Sequence, residues 1–194
     1  MEELKKFEEV TLPDERQKAF AVVNWESGTK RPLMLQDIYR NVSEIKLHDG
    51  IPEVVRTHFA AAQNLLVYSW FFYPFNVTAQ FLAYVTVEFA LKERFKPQKK
   101  TSFRDLVKLA IEQGLVKDEG FSHIRERSEL DEYIEQEVGI GAQDIKSYTE
   151  TLIDTMPYLR NELAHGSPML HPNGTSLVRI CAEFINQLFP AKSS

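Results

Sequence analysis

The chain has 194 residues, 43% of them hydrophobic, enough for one domain with a full apolar core and against a wholly disordered or multidomain protein. Eight Gly, nine Pro and one Cys exclude a collagen-like repeat, a disulfide-stapled scaffold and a zinc site built on several thiolates. With 23 Lys and Arg against 28 Asp and Glu the net charge is −5, so a polyanion would have to be met by a local patch.

The N-terminus, Met-Glu-Glu-Leu-Lys-Lys-Phe-Glu-Glu, is acidic and lacks the apolar run of a secretory signal. The lone Cys181 suits a reducing compartment, and a cytoplasmic location is expected. Residues 1–50 read as an N-terminal extension, mostly helical, with a helix over 14–25, a turn at Ser27-Gly28 and an amphipathic helix over 35–47. Residues 51–194 read as the main domain.

From Pro52 the apolar residues Val55, Phe59, Ala62, Leu66, Trp70 and Tyr73 recur at helical spacing, and the chain turns at Pro74-Phe75-Asn76. A second helix is expected to run to Phe95. Its apolar residues, from Phe81 through Tyr84 and Val87 to Leu91, surround the axis, which marks a helix buried on most sides. The stretch 57–87 carries no Asp, Glu, Lys or Arg and is long enough to span a bilayer. Gln63, Asn64, Asn76 and Gln80 are scattered through it and Pro74 breaks it, so a buried helical hairpin fits better and no membrane partner is expected.

Between Lys92 and Lys108 the charge turns basic, through Lys92, Arg94, Lys96, Lys99, Lys100, Arg104 and Lys108 against Glu93 and Asp105. Such a run is either a solvated loop or a track for a polyanion. Ser102 and Asp105 form a capping-box-like pair for a helix that stops at Gly114. The balance then reverses to acidic over 112–137, a face no polyanion would choose.

Ile145, Tyr148, Leu152, Met156, Leu159 and Leu163 make one apolar stripe whose phase persists across Pro157, which predicts a single kinked helix. Gly166 and Pro168 end it, and a last helix carries Leu177, Cys181, Phe184 and Leu188 on one face. No segment shows strand alternation, so the fold class is all-α, a helical bundle.

At about 100° per residue, the stripe's direction leaves Arg160 to one side and puts Asn161 and His165 near the opposite face, so all three are expected to look away from the chain's own core, toward water or another surface. One account is purely local, because Arg or His in a last turn followed by Gly is an ordinary helix ending. The other is chemical. Arg160 supplies a fixed charge and fork-shaped donors for a phosphate, and His165 exchanges a proton near neutrality, which together suffice for metal-free RNA cleavage.

Arg160-Asn161-Glu162-Leu163-Ala164-His165 resembles the Arg-x4-His signature of the HEPN superfamily, in which a polar residue commonly follows the Arg. The surroundings are similar too: a long apolar hairpin ending in Tyr84-Val-Thr-Val-Glu-Phe-Ala-Leu-Lys92, a helix with Ala110-Ile-Glu-Gln-Gly-Leu115, then the motif helix and a short closing helix. The likeness covers about 52–189. It implies an all-α bundle, frequently dimeric, that is either a metal-independent endoribonuclease of toxin–antitoxin, abortive-infection or RNA-processing systems, or a non-catalytic binding or scaffold module. It further implies attack of the RNA 2′-hydroxyl on the adjacent phosphorus, with His165 as acid/base, Arg160 holding the phosphorane-like charge and Asn161 orienting one of them or contacting substrate. A homodimer joining two motifs in one cleft would supply the second acid/base group, and an antitoxin or regulatory protein is a further expected partner. Lys96, Lys99, Lys100 and Arg104 are the candidate RNA contacts, and no cofactor or metal is expected.

Glu88 sits inside the most apolar helix, where an ionised carboxylate requires a partner, Arg160 or another Arg, and it is the candidate supporting residue. His58 reads as a satisfied core or boundary histidine and His123 as a surface residue. His165 and His171 lack a carboxylate or thiol cluster that would complete a metal set. Cys181 reads as a buried structural thiol, and the aromatic run from Tyr68 to Phe75 as core.

Overall fold

The hairpin forms where the apolar spacing places it. The computed structural model of the protein describes residues 3–24, 26–127, 147–166 and 174–191. Helix α2 spans Glu53–Tyr68 and buries Val55, Phe59, Ala62 and Leu66, while α3 spans Phe75–Phe95 and buries one broad face, with Ala79, Ala83, Val87, Ala90 and Leu91 on it and Phe81, Leu82, Val85 and Phe89 only half-buried outside it. Alanines on α3 let neighbouring helices close in, and α3 packs against α2, α4, α6 and α7. It is the central post of the bundle.

Before the hairpin come two short 3-10 turns (Phe7–Glu9 and Glu15–Ala19), strands β1 (Ala21–Val23) and β2 (Lys30–Pro32), and α1 (Leu35–Ser43). After it come α4 (Phe103–Glu112), a 3-10 turn at Asp118–Gly120, a helical stretch α5 over 122–127, α6 (Tyr148–Ala164) and α7 (Gly174–Leu188). The all-α class is right for the bundle itself. No helix among the described residues is long and apolar enough to cross a membrane.

The extension differs from expectation. In place of one helix, the described residues of 14–24 form the short 3-10 turn Glu15–Ala19 and then β1, which pairs antiparallel with β2, Val22 opposite Arg31. The turn between them is built by the Asn24 side chain, whose Oδ1 accepts from the backbone amides of Glu26 and Ser27, and by Gly28 at φ +67°. Helix α1 stops at Ser43 rather than Leu47, with Gln63 of α2 donating to the Ile45 carbonyl at 2.7 Å just past its end. Arg31 reaches from β2 to Asp37 of α1 at 2.6 Å, tying the hairpin to that helix.

The extension is fastened to the α2–α3 turn. Helix α2 ends at Tyr68, short of Tyr73, because Pro74 disfavours helical backbone before it and the Asp14 carboxylate captures the Tyr73 amide at 2.8 Å. The Asp14 amide donates to the Trp70 carbonyl at 2.8 Å, and Gln17 donates to the Ser69 carbonyl at 2.9 Å. Burial works to raise the Asp14 carboxyl, but hydrogen bonds from Arg16 and the Tyr73 amide outweigh it and hold the pKa down at about 2.

The aromatic run is only partly core: Tyr73 is buried, Tyr68 is exposed, and Tyr68, Phe71, Phe72 and Phe75 line an apolar hollow of about 470 Å³ with Leu4 and Val10. His58 is exposed against the Phe89 ring, because it faces outward between the buried positions 55 and 59. His123 is half-buried and packs edge-on to Tyr148, with ring centroids 4.6 Å apart. Cys181 is fully buried on α7, and burial pushes its thiol well above the ordinary cysteine value.

Helix α6 continues through Pro157, as the persistent stripe requires. Its first turn is capped from outside. The Asp118 carboxylate accepts from the amides of Tyr148 and Thr149, both at 2.9 Å, and from the Ser147 hydroxyl at 3.0 Å. Burial acts to raise the Asp118 carboxyl, and these hydrogen bonds outweigh it and lower the pKa. Helix α7 starts at Gly174, which lies so close to Asn76 of α3 that a Cβ would collide with the Asn76 amide. His171, and Ile145 at the head of the expected stripe, lie outside the described residues.

Candidate functional site

Helices α3, α4 and α6 and the 96–102 connection bound an open cleft of about 1170 Å³. Glu88 and Lys92 project from consecutive turns of α3 into it. At the end of α3, Lys96 takes a left-handed conformation (φ 43°, ψ 55°) that swings the chain into Pro97-Gln98-Lys99-Lys100 along the rim. Ser102 then caps α4, accepting from the Asp105 amide at 3.1 Å while its hydroxyl donates to the Asp105 carboxylate at 2.6 Å. Arg104, in the first turn of α4, pairs with Asp154 of α6 at 2.8 Å.

From the α6 side the cleft receives Pro157, Arg160 and Asn161. The Arg160 side chain lies across to α3, with Nη2 2.5 Å from the Glu88 carboxylate, and Nη1 donates to Asn161 Oδ1 at 2.9 Å. Its Nε is buried with no hydrogen-bond partner among the described residues. Arg160 therefore does not simply face outward from its own core, because a long guanidinium stem spans from its side of the helix to a neighbour.

Glu88 has the partner its apolar helix demands, and a second one besides: Lys92 contacts its other oxygen at 2.6 Å. Burial alone would raise the Glu88 carboxyl; hydrogen bonds and charge from Lys92 and Arg160 outweigh it and hold the pKa below the ordinary glutamate value. The floor of the cleft is thus one carboxylate shared between two cations. Lys92 heads the basic run expected to meet a polyanion, but only an Arg was expected beside Glu88, although the four-residue spacing of Lys92 from Glu88 is the signal that pairs them.

His165 stands apart. It is the exposed C-cap residue of α6, its amide donates to the Asn161 carbonyl at 2.9 Å, and it does not line the cleft. Lys96, Lys99, Lys100, Arg104, Arg160 and Asn161 do. On the other flank of α6 an apolar groove of about 490 Å³ runs between α6 and α7, lined by Tyr84, Leu152, Met156, Leu163, Leu177 and Ile180. Tyr158 at 62% and Leu159 at 39% exposure stand at its edge, so the stripe expected to be buried opens to solvent at Leu159.

No family model, curated protein or solved structure matches this chain. Among the described residues no group of three His, Cys, Asp or Glu side chains is placed to hold a metal ion. What the cleft offers is positive charge: six cations line it against Glu88 and Glu93, on a chain whose total charge is negative. Such a local concentration of positive charge attracts anions.

Proposed function

We propose that this protein is a metal-independent endoribonuclease of the HEPN-like kind, acting as a cytoplasmic homodimer. The observation that carries the reading is the convergence of Arg160 and Asn161 with Lys96, Lys99, Lys100 and Arg104 on one open cleft, from parts of the chain far apart in sequence. The RNA 2′-hydroxyl attacks the adjacent phosphorus, the bond to the 5′-oxygen breaks, and a 2′,3′-cyclic phosphate and a 5′-hydroxyl result. One His165 takes the 2′-hydroxyl proton and the other copy's protonated His165 gives one to the leaving oxygen. Arg160, held in place by Glu88, stabilises the charge on the phosphorane oxygens.

Two copies are part of the proposal because the reaction uses two proton-transfer groups and each chain presents one at this motif. The exposed position of His165 at the C-cap of α6 suits approach by a second copy. A defence or toxin-like setting, with an antitoxin or regulatory protein as the other partner, belongs to the same proposal.

The Glu88–Arg160 pair favours a second reading, a non-catalytic interaction module in which Arg160 serves only to tie α6 to α3. Incubation with unstructured RNA in EDTA separates the two. For the nuclease, fragments end in a cyclic phosphate, and His165→Ala lowers the rate by about 10²–10⁴-fold while stability stays within about 0.5 kcal/mol, since His165 is exposed. For the module, the wild type leaves RNA intact and Arg160→Ala acts on stability alone.

A further inference from the structure

Helix α6 separates two hollows of opposite character. One is the cationic cleft; the other, shared with α7, is the apolar groove of about 490 Å³. Both helices pack on α3, so α3 forms the base of the groove, and its Tyr84 lines the bottom at 4% exposure. The Tyr84 hydroxyl makes no hydrogen bond to any described residue, although a buried tyrosine hydroxyl ordinarily finds a partner. Burial pushes its pKa far above the ordinary tyrosine value, so it stays a neutral O–H donor. The threonines of the wall offer less, since Thr151 donates to the Ser147 carbonyl at 3.3 Å and Thr155 to the Thr151 carbonyl at 2.9 Å.

Glu162 is the one charged side chain lining the groove among the described residues, and no described cation pairs with it. Tyr158 precedes it by four residues on α6, so an exposed aromatic ring and a free carboxylate are neighbours at the mouth. Both attract a cation, one by its charge and the other by the negative face of its ring. An adjoining hollow, which shares Ser176 and Ile180 with the groove, carries Glu126, Glu183 and His123 with Arg179. Arg179 is paired with Glu44 at 3.6 Å, and Glu183 Oε2 is buried with no hydrogen-bond partner among the described residues. This flank of α6 therefore draws positive charge, where the flank bearing Arg160 draws negative charge.

Size and lining narrow the occupant. A hollow of this volume falls within the range of about 300–1,000 Å³ that takes a drug-sized molecule, and Leu152, Met156, Leu163, Leu177 and Ile180 supply its apolar walls. We infer that the groove binds a small organic cation, its apolar body seated between α6 and α7, its positive group at Glu162 and Tyr158, and an acceptor oxygen at Tyr84. The site uses neither Arg160 nor His165, so it stands apart from the nuclease reading.

The test uses three compounds with one apolar body: para-methoxyphenylbutylamine and the corresponding alcohol and carboxylate. Each is titrated into the full chain by isothermal calorimetry. The amine should bind about tenfold more tightly than the carboxylate, with the alcohol between them. Glu162→Gln, at an exposed position, should weaken the amine about twofold to fivefold and leave the alcohol unchanged. Tyr84→Phe deletes a hydroxyl that bonds no described residue, so the fold is kept, and it should weaken all three compounds about twofold to tenfold. Lys99→Gln, at the cleft, should change none of these constants.

Equal affinity for amine and carboxylate, amine binding untouched by Glu162→Gln or by Tyr84→Phe, or no saturable binding of the amine below about 1 mM overturns the inference. So does amine binding that dissociates a dimer in sedimentation velocity, since the groove then belongs to a second copy. If the amine binds as expected while wild-type protein leaves RNA intact, the nuclease reading falls and the cation site stands. If RNA is cut through His165 while the amine fails to bind, the cation site falls alone.

Discussion

Removing the Asp118 carboxylate tests how the motif helix is held. In Asp118→Ala, the Tyr148 and Thr149 amides and the Ser147 hydroxyl lose their acceptor at the first turn of α6. Loss of an N-cap costs about 0.5–2 kcal/mol, and hydrogen bonds to a charged group are worth about 1.5–3 kcal/mol each before water replaces part of them. The site is half-buried, so water recovers some of this, and we expect a loss of about 2–3 kcal/mol. For a chain of this size that is a fall of roughly 4–12 °C in melting temperature. Urea titrations of wild type, Asp118→Asn and Asp118→Ala measure it, with Asn intermediate because it keeps one acceptor oxygen. The Asp118 pKa is lowered on folding, so its stabilisation is complete above the unfolded value and disappears as pH falls through the folded one. The gap between wild type and Asp118→Ala should therefore be constant from pH 5 to 7 and close below about pH 4. A loss under about 0.5 kcal/mol at pH 7, or a gap that widens in acid, refutes the reasoning.

Lys96→Gly removes the left-handed strain and should raise stability by about 0.5 kcal/mol in a urea titration, the relief exceeding glycine's greater unfolded entropy, while oligonucleotide binding weakens. Gly174→Ala drives a methyl into the Asn76 amide between α7 and α3 and should cost about 1–3 kcal/mol, read as a lower urea midpoint at unchanged slope.

The bundle was legible because its helices are long and their apolar positions regular. Val55, Phe59, Ala62 and Leu66 on α2, and Leu152 and Met156 on α6, are buried where spacing placed them. Ser102 caps α4 as its pairing with Asp105 signalled. Strands β1 and β2 were not legible, since three residues each are too few to display alternation and their turn depends on the Asn24 side chain. Burial logic found the need for a Glu88 partner, whereas the outward reading of Arg160 failed because helical angles locate a Cβ and not the end of a long side chain. The left-handed Lys96 carries no sequence signal, as glycine is the residue that announces that conformation.

The fastening of the α2–α3 turn by Asp14 and Gln17 has a kinetic consequence. Both residues leave the ribosome well before their partners, which follow 59 positions later for Asp14 and Tyr73 and 52 for Gln17 and Ser69. That corner is a late knot in the order of assembly: the two apolar helices must first meet, and only then does the leading stretch find the Tyr73 amide and the Ser69 carbonyl to latch. A chain caught before that step would present Phe71, Phe72, Tyr73 and Phe75 beside a corner not yet latched.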